Sequence, residues 1–512
     1  MSLATGSSLN AERRARDLAA LASGEVVDVL VIGGGITGVG VALDAATRGL
    51  SVALVERRDL AHGTSRWSSK LIHGGLRYLA QGQLGIAYES ARERDVLMRR
   101  TAPHLVRRLG WVGAFTPDLA RSTATLGRLG WATADVLRKM SGTPVQMLPR
   151  ARYIGPDEVV AAVPAISRTG LRGGVLYSDG QVEDDARLVI TVARTAAAYG
   201  ARILTYCSAA TIDGSGARVL DERSGVSADI RARHIVNATG VWADTLAPNI
   251  RLTPSKGAHV VLRSSTLGSP SVGFTIPVRG ERFRFVFAVP IADDRVIVGL
   301  TDDPVATPVP DVPTADERDV SFLLGTLSRC LERPISESDV IGSYAGLRPL
   351  LAGASGSTAD LSRRHSVVEG ADRVITVVGG KLTTYRQMAE DTVDVIARRP
   401  GVATGPCRTK NIPLVGAASP PALASVPAPP RMIRKFGTEA AAVVALAGGD
   451  TSLLEPIAPT VPTTRAELLF GIRHEGALDA DDLLERRTRI GLVAADRALA
   501  EPATAEMLAT TG

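Results

Sequence analysis

Gly33, Gly35 and Gly38 constrain this chain more than any other residues. They form G-x-G-x-x-G between an apolar run, Val26–Ile32, and an apolar helical stretch over 36–48 that stops at Gly49. A second apolar run, 51–55, ends on Glu56. The pattern predicts a β-α-β unit that holds a dinucleotide. The first glycine permits the tight turn, the second lets the backbone approach a pyrophosphate, and the third lets helix and strand pack closely. The helix N-terminus then faces the phosphates. Glu56 is placed to accept from ribose hydroxyls, and an acid there disfavours a 2′-phosphate, so FAD or NAD is preferred to NADP.

The rest of the chain favours FAD. Residues 202–240 read as several short strands with turns at D-G-S-G and R-S-G, returning through Ala238-Thr239-Gly240. A buried strand over 373–378 runs into Gly379-Gly380 and a helix over about 382–397. Amides at that helix start can donate to a flavin ring where the reduced form carries negative charge, and Lys381 adds a cation. Three more strands, near 257–263, 283–290 and 296–300, belong to a second sheet, followed by a helix over 314–333. Helices are expected over 9–23, 86–101, 184–199 and as a pair over 118–141, with a short helix and turn over 153–163. Pro and Ala crowd 418–430, read as a linker or surface loop, and 431–512 is read as helical.

With 512 residues, 45% of them hydrophobic, the chain is long enough for two or three domains. Cys207, Cys330 and Cys407 lie far apart, which gives neither a disulfide framework nor a metal spacing and fits a reduced cytoplasmic compartment. No signal peptide and no bilayer-spanning run is read from the sequence. The net charge of +6 fits either solubility or a basic face that gathers an anionic substrate or lipid. No nucleic-acid motif is found. Only six of the 59 basic residues are lysine, and Lys70, Lys256 and Lys381 all fall inside glycine- or serine-rich motifs.

The run 68–79, S-S-K-L-I-H-G-G-L-R-Y-L, places Lys70, His73, Arg77 and Tyr78 among small residues just after the nucleotide loop. Arg77, Arg348 and Arg363 lie beside Gly, Pro or Ser, away from obvious helix faces. Arginine binds phosphate or carboxylate bidentately, so an anionic substrate is expected. His73 and His259 are the candidate general bases.

At these residues the chain resembles the FAD-dependent, respiratory-type glycerol-3-phosphate dehydrogenases. The motifs are 68–79, A-P-H-L at 102–105, A-T-G-V-W-A-D at 238–244, S-K-G-A-H at 255–259, G-L-R-P-L at 346–350 and V-G-G-K-L-T-T-Y-R at 378–386, with 431–440 and 484–489 matching a C-terminal helical domain. The resemblance implies an α/β fold: a Rossmann-like FAD-binding domain of the glutathione-reductase and D-amino-acid-oxidase type, an inserted mixed-sheet substrate domain and a C-terminal helical domain. The boundaries drawn are an N-terminal helical extension over 1–24, an oxidoreductase region over 25–400 and the helical domain over 401–512. Within 25–400, the FAD-binding segments are about 25–85, 185–250 and 365–400. The substrate segments are about 86–184 and 251–364.

The implied reaction oxidises sn-glycerol 3-phosphate to dihydroxyacetone phosphate and passes electrons to a membrane quinone. The resemblance implies His259, Arg348 and Lys381 as catalytic residues, with Arg77, Tyr78, Arg363 and His73 binding substrate. It assigns Gly33, Gly35, Gly38, Glu56, Ser65, Ser68, Lys70, Gly240, Gly380, Lys381, Leu382 and Thr383 to FAD, and no metal. It also implies a homodimer, peripheral on an anionic membrane at its cytoplasmic face, with the N-terminal helix and 431–436 as candidate contacts. Two departures stand out: Arg66 replaces a serine usual in G-T-S-S-x-S-S-K, and Leu300 replaces a threonine in G-T-T-D. Competing readings are a glycerol-3-phosphate oxidase, for which no extra inserted segment is seen, an amine or amino-acid oxidase, and a non-catalytic flavin sensor.

Overall fold

The computed structural model describes residues 4–75, 83–117, 135–281, 284–306, 308–352 and 365–510. Its first sheet is built on Val26–Ile32, whose apolar run is buried between parallel neighbours. From one edge the order is Ser366–Glu369, Ile375–Val378, Ser227–Asn237, Val26–Ile32, Val52–Val55 and Arg202–Leu204. The last five strands run parallel and Ser366–Glu369 is antiparallel. The meander expected over 202–240 is present: Cys207–Asp213 and Gly216–Asp221 pair antiparallel and feed into Ser227–Asn237.

Helix Ile36–Thr47 is buried along almost its whole length, which explains its mostly apolar sequence. It packs against helices Asp185–Ala198 and Tyr385–Ala397. The former starts cleanly because the Asp184 side chain accepts from the Arg187 amide.

The second sheet runs Asp303–Pro304, Ser255–Arg263, Arg295–Gly299, Phe285–Ile291, Gly273–Pro277, Val106–Ala114, Gly174–Val182 and Leu71–Ile72. Val340–Arg348 pairs with Ser255–Arg263 on its other side, and Arg152–Ile154 pairs with Gly174–Val182. Side chains alternate across this sheet. Val260, Leu262, Val296 and Val298 enter a core with helix Glu317–Ser328, leaving His259 and its neighbours for the opposite face. Leu71–Ile72 thus belongs to this sheet, although the sequence groups it with the FAD-binding segments.

Three sequence expectations are corrected. Arg152–Ile154 is a strand ahead of helix Pro156–Ala162, where only a helix and turn were expected. The Pro-rich 418–430 run contains helix Pro420–Ala424, because proline is tolerated in a first helical turn, and Leu423 and Val426 are buried. The helical tail also holds a hairpin, Pro456–Ala458 with Val461–Thr464. Most of the helix pair expected over 118–141 lies outside the described residues.

Buried ion pairs join the C-terminal helices to the rest. Asp59, just past Glu56, accepts from Arg486 Nε at 2.6 Å and from Arg487 at 2.6 and 2.9 Å. Those two cations hold the Asp59 carboxyl down at about 2 against burial, which acts the other way. Glu475 pairs with Arg187, and Glu439 with Arg194 at 2.6 Å. The two candidate membrane contacts are already engaged. On helix Ala11–Ala22, Arg13 bonds Asp17 and the Ala197 carbonyl, and Arg14 bonds the Thr205 carbonyl and Asp221. In 431–436, Arg431 pairs with Glu467 while Met432, Lys435 and Phe436 are buried. Among the described residues no helix is long and apolar enough to cross a membrane.

Candidate active site

The strand Val26–Ile32 leads into Gly33, held at φ +114, where an added Cβ would lie 2.6 Å from the Ala238 carbonyl oxygen. Only glycine fits that turn. A Cβ on Gly38 would overlap the Gly33 carbonyl, which is the close helix–strand approach read from the sequence. Helix Ile36–Thr47 starts at Gly35 without a side-chain cap, and the Ile36 amide donates to Ser65 Oγ at 2.9 Å. The Glu56 carboxylate accepts from the Gly34 amide at 2.6 Å and the Arg58 amide at 2.8 Å. Burial, outweighing those bonds, raises its pKa. Each carboxylate oxygen keeps acceptor capacity for a ribose hydroxyl.

One cavity of about 620 Å³ opens from this loop. Its walls include Gly33, Gly35, Glu56, Ser65, Ser68 and Gly240 at the nucleotide end. Gly379 and Gly380, both at positive φ, turn the chain into a helix start at Leu382 whose cap residue, Lys381, makes no side-chain cap bond. Gly380, Lys381, Leu382 and Thr383 line the same cavity. A flavin dinucleotide fits these residues: an open helix start for phosphate, an acid for ribose and a second helix start for the ring.

The far wall is the second sheet. Strands Ser255–Arg263 and Val340–Arg348 pair with Ser255 opposite Arg348, Gly257 opposite Gly346 and His259 opposite Tyr344. Period-two alternation therefore brings Gly257, His259, Gly346 and Arg348 to one face, and all four line the cavity. Arg348 Nη1 donates to Ser255 Oγ at 3.1 Å and to Asp302 at 3.2 Å, and Nη2 to the Thr301 carbonyl at 3.2 Å. A Cβ on Gly257 would overlap this guanidinium.

His259 is 2% exposed and stacks on Tyr344 with centroids 4.6 Å apart. Tyr344 stacks in turn on Trp67, and the guanidinium groups of Arg66 and Arg489 lie over Trp67. Ser69 Oγ is 2.9 Å from His259 Nε2. Burial first, then the positive charges of Lys70 and Arg348, push the His259 pKa down to about 3, so the imidazole is neutral at pH 7.

His73 lines the cavity near Ser69 and Leu71 in sequence. Lys381 lines it too, and its ammonium donates to Ser90 Oγ at 2.8 Å. Ser68 spends its hydroxyl and amide on Asp185. Lys70 is expected among the cofactor contacts. It is buried beside the cavity wall without lining it, and its ammonium bonds Asp185 at 2.7 and 2.8 Å because that buried carboxylate requires a counter-ion. Arg77, Tyr78 and Arg363 lie outside the described residues. Of the departures, Leu300 lines the cavity, whereas Arg66 is buried behind it, donating to the His62 carbonyl and Glu485.

Sequence reasoning overlooked Ser69, Asp302, Gly257, Gly299, Tyr344 and Trp67. Ser69 and Gly257 lie inside motifs that were recognised, so their position was visible but their task was not. Among the described lining residues, Arg57, Arg58, Arg348 and Lys381 are cationic and Glu56 is the acid. The cavity therefore favours an anionic ligand beside the nucleotide.

Residues 28–386 match the FAD dependent oxidoreductase family, and residues 407–511 match the C-terminal domain of alpha-glycerophosphate oxidase. Glycerol-3-phosphate dehydrogenase 1 of Mycobacterium tuberculosis is 50% identical over 496 residues, 96% of each chain. The aerobic glycerol-3-phosphate dehydrogenase of Staphylococcus aureus is 33% identical, covering 76% of this chain and 71% of its own. The crystal structure of the glycerol-3-phosphate dehydrogenase from Bacillus halodurans complexed with FAD superposes with a TM-score of 0.77 at 25% identity, covering 98% of this chain and 94% of that one. The chain belongs to the FAD dependent oxidoreductases and, within them, to the glycerol-3-phosphate dehydrogenases.

Proposed function

We propose that this chain oxidises sn-glycerol 3-phosphate at C2 to dihydroxyacetone phosphate and passes the electrons to a membrane quinone, acting peripherally at the cytoplasmic face. The observation that carries the reading is the shared cavity: His259 and Arg348 on the second sheet open into the same space as the glycine loop and the 379–383 helix start. Bound FAD supplies the hydride acceptor. The chain's own residues do the rest. Arg348, held by Asp302 and Ser255, presents a fixed cation for the phosphate or the C2 oxygen. His259, neutral at pH 7, has the protonation state required of a base for the C2 hydroxyl. A dianionic substrate beside it raises its affinity for the proton as binding occurs. His73, Arg77, Tyr78, Arg363 and Lys381 complete the proposed substrate site, and Ser65, Ser68 and Gly240 the proposed flavin contacts.

The test is anaerobic addition of glycerol 3-phosphate to the flavin-loaded protein, followed by the visible flavin band. Bleaching that a quinone analogue reverses faster than air supports the dehydrogenase. Faster recovery in air, with peroxide, supports an oxidase. No bleaching would refute both.

A further inference from the structure

We propose that Ser69 relays the substrate's hydroxyl proton to His259. The inference rests on His259 as the base and adds a group between it and the substrate. Ser69 lines the cavity and its Oγ is 2.9 Å from Nε2 of the buried imidazole. An unprotonated ring nitrogen has one lone pair, directed in the ring plane. With Nε2 as the acceptor, the tautomer a base requires, that lone pair is occupied by the Ser69 hydrogen. A substrate hydroxyl therefore reaches the imidazole through Ser69.

The arrangement is held in place from several sides. The neighbouring Ser68 is fixed by its amide and hydroxyl to Asp185, at 2.9 and 2.7 Å. The Tyr344 hydroxyl donates to the Ser68 carbonyl at 3.0 Å, and the Tyr344 ring stacks on the imidazole. The same tyrosine therefore touches both the imidazole and the residue that precedes Ser69. Lys70, one residue on, is anchored to Asp185. Burial, aided by nearby Lys70 and Arg348, keeps the imidazole unprotonated until the proton arrives.

The step balances as follows. The C2 hydroxyl proton moves to Ser69 Oγ while the Ser69 proton moves to His259 Nε2. The C2–H bond breaks with its electron pair leaving as hydride to the flavin, and C2=O forms. The substrate is oxidised, the flavin is reduced, and His259 is left as imidazolium to release one proton to solvent.

The test uses the flavin-loaded full chain with Ser69→Ala, Ser69→Thr and His259→Ala, and measures the anaerobic rate of flavin reduction, flavin content and the dissociation constant of an unreactive phosphate analogue of the substrate. General acid–base groups contribute about 10²–10⁴-fold, so S69A is expected to slow reduction by roughly 100-fold. Flavin content and analogue affinity stay at wild-type values, and S69T, which restores a hydroxyl, recovers most of the rate. If S69A reduces flavin at the wild-type rate while H259A does not, the relay is wrong and the base stands. If H259A is also unimpaired, the base reading itself fails. A loss in S69A matched by an equal loss of analogue affinity overturns the relay in favour of a binding role.

Discussion

Gly299→Ala tests whether the position of His259 matters, without altering any group that titrates or binds. Gly299 pairs directly with His259 across the second sheet, and Tyr344 pairs with it from the other side. An alanine Cβ at 299 would overlap imidazole Cδ2 and lie 2.7 Å from Nε2 and 3.0 Å from Cγ. Comfortable contact needs about 3.5–4.0 Å, so the ring must retreat by more than about 1 Å. Retreat is blocked by the stacked Tyr344 ring. Gly299 is not among the glycines at positive φ, so alanine is not forced into a left-handed conformation, and the clash with the imidazole is the expected effect. Overpacking of this kind costs about 1–3 kcal/mol of stability. A misplacement of about 1 Å costs roughly 10²-fold in rate. Anaerobic stopped-flow reduction of the flavin by glycerol 3-phosphate should therefore slow by about two orders of magnitude. Flavin content and a cooperative melt serve as controls. Reduction at the wild-type rate in a folded, flavin-loaded G299A protein would refute the argument that imidazole placement limits the reaction.

Asp302→Asn removes a charged partner of Arg348; bonds to charged groups are worth about 1.5–3 kcal/mol, so kcat/KM for glycerol 3-phosphate should fall at least tenfold, and an unchanged value would show that Arg348 needs no such support. Since the pKa of His259 lies near 3, its protonation should place no acid limb between pH 5 and 8 in kcat/KM; a limb there that disappears in H259A would contradict the burial argument. Asp59→Asn leaves Arg487 buried without its carboxylate and Arg486 with Asp482 alone, and should cost about 3–5 kcal/mol of stability, read by chemical denaturation. The folded Asp59 pKa, about 2, lies below its ordinary 3.8, so its contribution is complete above pH 3.8 and is lost as pH falls through 2. Acid titration of melting temperature should show that loss in wild type and not in D59N.

The sequence disclosed most readily what is local. Gly33, Gly35, Gly38 and Glu56 act within one β-α-β unit, so their spacing alone carries the geometry. The 379–383 turn was legible for the same reason. The grouping of His259 with Arg348 came from the resemblance and not from spacing, because it depends on the register Ser255 opposite Arg348 between strands far apart in the chain. Gly299 and Gly257 matter only for the side chains they leave room for, which spacing cannot reveal. The ion pair of Lys70 with Asp185, 115 residues away, could not be read from the glycine- and serine-rich run that drew attention to the lysine. The small hairpin at 456–464 escaped because its strands are three and four residues long, too short for a period-two signal.

The clasp between Asp59 and the arginines 486 and 487 bears on how this enzyme can be recombined with its relatives. The two matched families follow one another in sequence as though they were modules, yet a C-terminal region from another member would bring its own cations to the carboxylate three positions past Glu56. Arg489, from the same region, stacks on Trp67 and so reaches the aromatic column that backs His259. A working chimera must therefore exchange 59, 66–67 and 486–489 as one set, and natural variation at these positions should be inherited jointly.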